Sequence, residues 1–170
     1  LTLDDFEVQD GTDIILIRGS DDGETKRVKT AAGHRFVPVH PELKRIGLLT
    51  FVTDQRAKHP ADAALFPELP AGTTGYRSDP FSKFFARFLD KVGITDQKKV
   101  FHSFRHNYRD ALREADISIE KVRALGGWTT GNTEDAYGKG LSAGTLAAAI
   151  KTVGYPGLDL SHLYLSNEAS

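Results

Sequence analysis

The stretch FHSFRHNYRDALREA, residues 101–115, sorts its side chains by a helical period. At 100° per residue, Phe104, Tyr108, Ala111, Leu112 and Ala115 fall on one stripe, and His102, Arg105, His106, Arg109 and Arg113 gather on the other side. The apolar stripe asks for a core to face. The basic side is crowded with groups that can hold an anion or move a proton. Arginine offers a planar fork of donors that matches phosphate and keeps its charge at any relevant pH. The histidine one turn earlier can bond the same anion or shuttle a proton. A metal is the competing reading, because His102 and His106 are four apart. Ser103 stands where a zinc-protease helix needs Glu, the chain has no cysteine, and the fixed charge of Arg105 opposes a cation. Phosphate fits better, although His-x-x-Arg alone is common on surface helices.

Working outward, Asp79-Pro80 starts a preceding helix as N-cap and first helical residue, and Gly93 stops it. Phe81, Phe84, Phe85, Phe88 and Leu89 recur on it at helical spacing and are expected to form core. Downstream, Ser118 caps a short helix through Ile119, Val122 and Leu125 that ends at Gly126-Gly127. A helical turn around 133–137 and an alanine-rich helix from Ser142 to about Val153 follow. PELKRIGLLTFVTDQRA (41–57) has helical composition with a proline start signal. Ahead of it, residues 13–19, 26–30 and 34–39 read as three strands, with Pro38 favouring an edge position or the end of pairing for the last of them. The expectation is an α+β fold: a mainly helical body with a small three-stranded antiparallel sheet near the N-terminus.

The chain's 170 residues suffice for one domain with a core. No apolar run is long enough to cross a membrane, and the absence of cysteine excludes disulfides and thiolate metal sites. The net charge of −1 hides a segregation. Eight acids face one base in the first 25 residues, whereas 26–45 and 98–113 are strongly basic. Local field governs the binding of a polyanion more than net charge does.

The basic helix has company in ALGGWTTGNTEDAYGKG, residues 124–140. Trp128 follows a Gly-Gly turn, and Tyr137 comes nine residues later, flanked by Gly138, Lys139 and Gly140. A tyrosine is a poor nucleophile at its ordinary pKa of about 10, so it needs cations and a base beside it. Taken together, His102-x-x-Arg105, Leu125-x-Gly127-Trp128 and Tyr137 resemble the second half of the catalytic signature of tyrosine recombinases, the phage-integrase family. The position of Trp128 is usually histidine in that family, with tryptophan an accepted variant. VKTAAGHRFVPVHPEL (28–43) is similar to the family's β-hairpin, whose lysine maps onto Lys29, and LTLDDFEV resembles the segment after the family's first catalytic arginine. The resemblance spans about residues 1–155.

What the resemblance implies is site-specific recombination or integration of DNA. The tyrosine recombinase reaction cleaves and rejoins strands through a 3′-phosphotyrosyl link, with no metal, no ATP and no other cofactor. Tyr137 is the implied nucleophile, and Arg105 the implied stabiliser of phosphate charge. Lys29 protonates the leaving 5′-oxygen, His102 assists proton transfer, and Trp128 offers its indole N–H. His106 has no mapped role. Charge alone suggests Arg35, Arg77, Lys83, Arg109 and Lys139 as contacts to the DNA backbone. The implied partners are double-stranded attachment-site DNA and three further copies in a homo-tetramer, in a cytoplasmic, nucleoid-associated setting of bacterial or phage origin. The family's first arginine and its DNA-clamping amino-terminal domain have no counterpart in residues 1–170. The chain is therefore expected to be a C-terminal catalytic domain cut on its N-terminal side, inactive alone. In isolation the tail LDLSHLYL is expected to fold back on its own domain, although the family docks it on a neighbour. A type IB topoisomerase-like enzyme and a non-catalytic DNA-binding regulatory module are the alternatives.

Overall fold

The computed structural model describes residues 1–18, 34–70, 72, 75, 77–128 and 140–165. Among them stand three strands and six α-helices, an α+β composition. In chain order these are β1 (Phe6–Gln9), β2 (Thr12–Ile17), β3 (Arg35–Pro38), α1 (Pro41–Arg45), α2 (Leu48–Arg56), α3 (Ser78–Lys91), α4 (Ser103–Glu114), α5 (Ile119–Gly126) and α6 (Ala143–Ile150). They fall into two compact units, one of Leu1–Leu65 with Ala111–Ser170 and one of Phe66–Asp110.

The sheet belongs to the first unit and runs β1-β2-β3, antiparallel throughout. Its make-up corrects the sequence reading. The runs 13–19 and 34–39 pair directly, and the third described strand is 6–9, which the sequence reading passed over; the run 26–30 lies outside the described residues. β1 and β2 meet through a two-residue turn at Asp10 and Gly11, with φ of 49° and 74° between the paired Gln9 and Thr12. Two consecutive left-handed residues give the twist a tight hairpin needs, which is why Asp-Gly serves there. Among the described residues β3 ends the sheet order, and Pro38, which has no N–H to donate, is its last paired residue.

Leu3, Phe6, Val52 and Leu65 form one core cluster, to which Ile15, Leu48, Leu49 and Phe51 add from β2 and α2. Asp5 is 1% exposed and accepts from Thr2 N at 2.8 Å and from Arg18 Nε at 3.1 Å. A carboxylate so far from water requires such partners, and its hydrogen bond raises the Arg18 pKa above the usual range. Arg56, at the end of α2, donates to Leu3 O at 2.8 Å and Phe6 O at 2.5 Å, binding the first residues to that helix.

The helical composition of residues 41–57 is divided between two helices, α1 and α2. Gly47 adopts φ of +89° between α1 and α2 and lies under the side chain of Leu165. The tail closes on this elbow from the same chain. Leu165 N donates to Arg45 O at 3.0 Å, and Tyr164 Oη donates to Glu42 Oε2 at 2.5 Å. His40 starts α1, its Nδ1 accepting from Glu42 N at 3.1 Å while Nε2 donates to Val153 O at 3.0 Å. This pair of bonds puts the ring proton on Nε2. α6 packs on β2 and β3, and α5 packs on β3 and α6. Ser142 caps α6 as read, its hydroxyl accepting from Thr145 N at 3.2 Å. Ser118 precedes α5 at the expected position but makes no side-chain cap bond.

In the second unit, α3 starts at Ser78 with Arg77 as its N-cap, two residues ahead of the expected start at Pro80 behind an Asp79 cap, and ends before Gly93, whose φ is +80°. Phe81 and Phe85 meet Phe101 edge-on, at centroid distances of 4.8 and 5.4 Å. The phenylalanine stripe is nevertheless not a buried core: Phe84 is 54% exposed and Phe88 46%. Helical period identifies the apolar face, but says nothing of what covers it.

Candidate functional site

The groups with anion-binding chemistry cluster where α4 begins. A tight turn leads in, with Ser103 Oγ accepting from Val100 N at 3.0 Å and Ser103 N donating to Val100 O at 2.8 Å. His102 lies immediately before the helix, and its carbonyl accepts from Arg105 N at 3.0 Å, which places Arg105 in the first turn. The rings of His102 and His106 stand edge to face, 5.5 Å between centroids. His102, Arg105, His106 and Arg109 are all exposed, as the helical period requires of the polar side. Phe104 departs from its expected place: it belongs to the apolar stripe but is 55% exposed, whereas Leu112 on the same stripe is fully buried.

The Phe66–Asp110 unit as a whole carries eight lysines and arginines against five acids, within a chain whose net charge is −1. The acidic surplus lies elsewhere in the sequence. Lys83 is exposed on α3, and Arg77 is exposed just ahead of that helix with Nη1 on the carbonyl of Leu69. These positions give a polyanion several cations within one compact unit.

Trp128 belongs to the other unit, at the end of α5. Gly127 takes φ of +63°, and both Gly127 N and Trp128 N donate to Arg123 O, at 2.8 and 3.2 Å. The chain thereby folds the indole back over Gly126: a Cβ on that glycine would lie 1.9 Å from Cε3 and Cζ3 of the ring. The Gly-Gly pair thus does two jobs. Gly127 supplies the left-handed turn, and Gly126 vacates the space that the indole fills.

Arg35, read from charge as a backbone contact, opens β3 half-buried and donates from Nε to Leu125 O at 3.1 Å. Lys29, Tyr137 and Lys139 lie outside the described residues, so the described part of the proposed catalytic set is Arg105 and His102 in one unit and Trp128 in the other. Among the described residues no three His, Cys, Asp or Glu side chains come together as a metal cluster would require. No described helix is long and apolar enough to cross a membrane. A cleft of about 440 Å³ between β1, β2 and α2 is lined by residues that include Phe6, Val8, Leu49, Val52 and Arg56, and none of the proposed residues lines it.

Searches of protein-family models, curated proteins and solved structures find no match to this chain.

Proposed function

We propose that this chain is the catalytic part of a tyrosine recombinase that cuts and rejoins DNA strands, with Tyr137 as nucleophile. The observation that carries the reading is the ordered set Lys29, His102-x-x-Arg105, Gly126-Gly127-Trp128 and Tyr137 in one sequence. Two structural facts support it. Arg105 is exposed in the first turn of α4, with His102 and His106 also exposed and their rings edge to face, and the Gly-Gly turn fixes an indole one position further on.

In the proposed reaction the Tyr137 oxygen forms a bond to a backbone phosphorus as the bond from phosphorus to the 5′-oxygen breaks. Lys29 gives a proton to that leaving oxygen, and the phenolic proton departs with the help of His102. Arg105 neutralises charge that grows on the non-bridging oxygens, and the Trp128 N–H donates to the same group. One phosphoester replaces another, so the bond energy is retained and the 5′-hydroxyl can attack in reverse to rejoin the strand. Removing one preorganised donor from such a site costs roughly 10²–10³ in rate, so Arg105→Ala is expected to fall in that range.

The DNA contacts follow from general electrostatics. Arg77, Lys83, Arg109 and Lys139 are proposed to meet phosphates, which carry most of the affinity and all of its steep salt dependence. The test is strand cleavage of duplex DNA by the protein in the longest form in which it is made. The parent is expected to nick DNA and Tyr137→Phe to bind without nicking. Cleavage that survives Tyr137→Phe overturns the mechanism. Salt-dependent binding with no cleavage by the parent would identify a DNA-binding module instead.

A further inference from the structure

From the geometry around the α5 terminus we infer that Arg35 is a positioning residue for Trp128, and that it does not contact DNA. The last four carbonyls of a helix have no partner within it and must find donors elsewhere. At the end of α5, Gly127 N and Trp128 N both turn back to Arg123 O. The carbonyl of Leu125 receives Arg35 Nε at 3.1 Å, from a strand ninety positions away in sequence. A guanidinium is well suited to this end of a helix, since its charge complements the partial negative charge of the exposed carbonyls. Leu125 itself is buried at 1% exposure and α5 packs against β3, so the bond is anchored in packed structure on both sides.

The consequence reaches the indole in three residues. Arg35 holds Leu125, Gly126 supplies the floor, Gly127 turns at φ of +63°, and Trp128 lies on that floor. Were the α5 terminus to shift, the Gly126 backbone and the ring above it would move together. β3 is also the strand that the chain enters from the segment bearing Lys29. Arg35 therefore ties a strand leading from one proposed catalytic residue to the turn carrying another. Only this last step, the relevance to catalysis, rests on the recombinase reading.

The chain has a single tryptophan, which reports on the turn directly. In the full protein, Arg35→Ala is expected to shift Trp128 emission to the red and raise its quenching by acrylamide. Arg35→Lys, which keeps a cation with a donor, is expected to restore part of both signals. The dependence of log DNA affinity on log salt is expected to be unchanged by either variant. An unchanged emission and quenching in Arg35→Ala, with a salt slope reduced by about 1, overturns the inference in favour of a phosphate contact. If Arg35→Ala does not fold, Arg35→Lys decides alone: an indole environment identical to the parent's, with a changed salt slope, overturns the inference. A parent that never cleaves DNA would defeat the recombinase reading and leave the fluorescence result standing.

Discussion

Gly126 shows how much of this chain's chemistry is set by a missing atom. Any side chain there would occupy the space of the Trp128 ring, with a contact of 1.9 Å that only a displacement of the indole or of the backbone could relieve. Gly126→Ala is expected to expel the indole and to cost about 1–3 kcal/mol, as overpacking does. Chemical denaturation and the emission of the single tryptophan measure the two effects. Gly47 is the parallel case. Its φ of +89° already disfavours any other residue, and Leu165 fills the place of a Cβ. The sequence shows Gly126-Gly127 as a helix stop, since that is a local signal. That one glycine is also a seat for a ring depends on the path after the turn, which local signals do not contain. The same holds for Gly47, which is invisible inside an otherwise helical composition.

At the scale of elements, α4 separates what period reveals from what it cannot. The stripe and the basic side were legible from residues 101–115, and the structure keeps the basic side exposed. Burial along the stripe is uneven, however, and energetics should follow burial. Leu112→Ala is expected to cost about 2–5 kcal/mol, as for a fully enclosed leucine. Phe104→Ala should cost about 0.5–1.5 kcal/mol, the worth of its aromatic contacts with Phe85 and Phe101. Equal losses in urea denaturation would mean that the stripe is covered along its whole length. On the opposite side, Arg109→Ala is expected to weaken duplex binding uniformly across sequences and lower the salt slope by about 1. β1 was missed for a different reason. FEVQ carries two polar residues in four, and only Asp10-Gly11 marks it as half of a hairpin. The proposed roles of Arg105, His102 and Trp128 rest on the family resemblance read from the sequence, whereas the role proposed for Arg35 needed a contact across ninety positions.

For the whole molecule, the tail is the clearest long-range device. Tyr164 donates to Glu42, and that bond raises its pKa above the ordinary value, because a phenolate there would face a carboxylate. A group whose folded pKa is raised contributes fully below its unfolded pKa, about 10, and the contribution is lost as pH climbs through the raised value. The stability difference between the parent and Tyr164→Phe should therefore be constant at neutral pH and close in strong alkali. A gap that persists in strong alkali would show that the hydroxyl bond contributes nothing. The tail is expected to fold back on its own domain in isolation; the elbow that receives it is not legible in the sequence, because the socket exists only once α1 and α2 have broken apart at Gly47.

The central proposal concerns Tyr137 and is tested most directly by covalent capture. The protein, in the longest form in which it is made, is incubated with nicked duplex DNA from which the short 5′-hydroxyl strand diffuses away after cleavage, so that rejoining fails. A denaturant-stable protein–DNA adduct is expected, its phosphate mapping by mass spectrometry to Tyr137. That adduct should be lost in Tyr137→Phe and strongly reduced in Arg105→Ala. An adduct on any other residue, or no adduct from protein that binds the substrate, would contradict it.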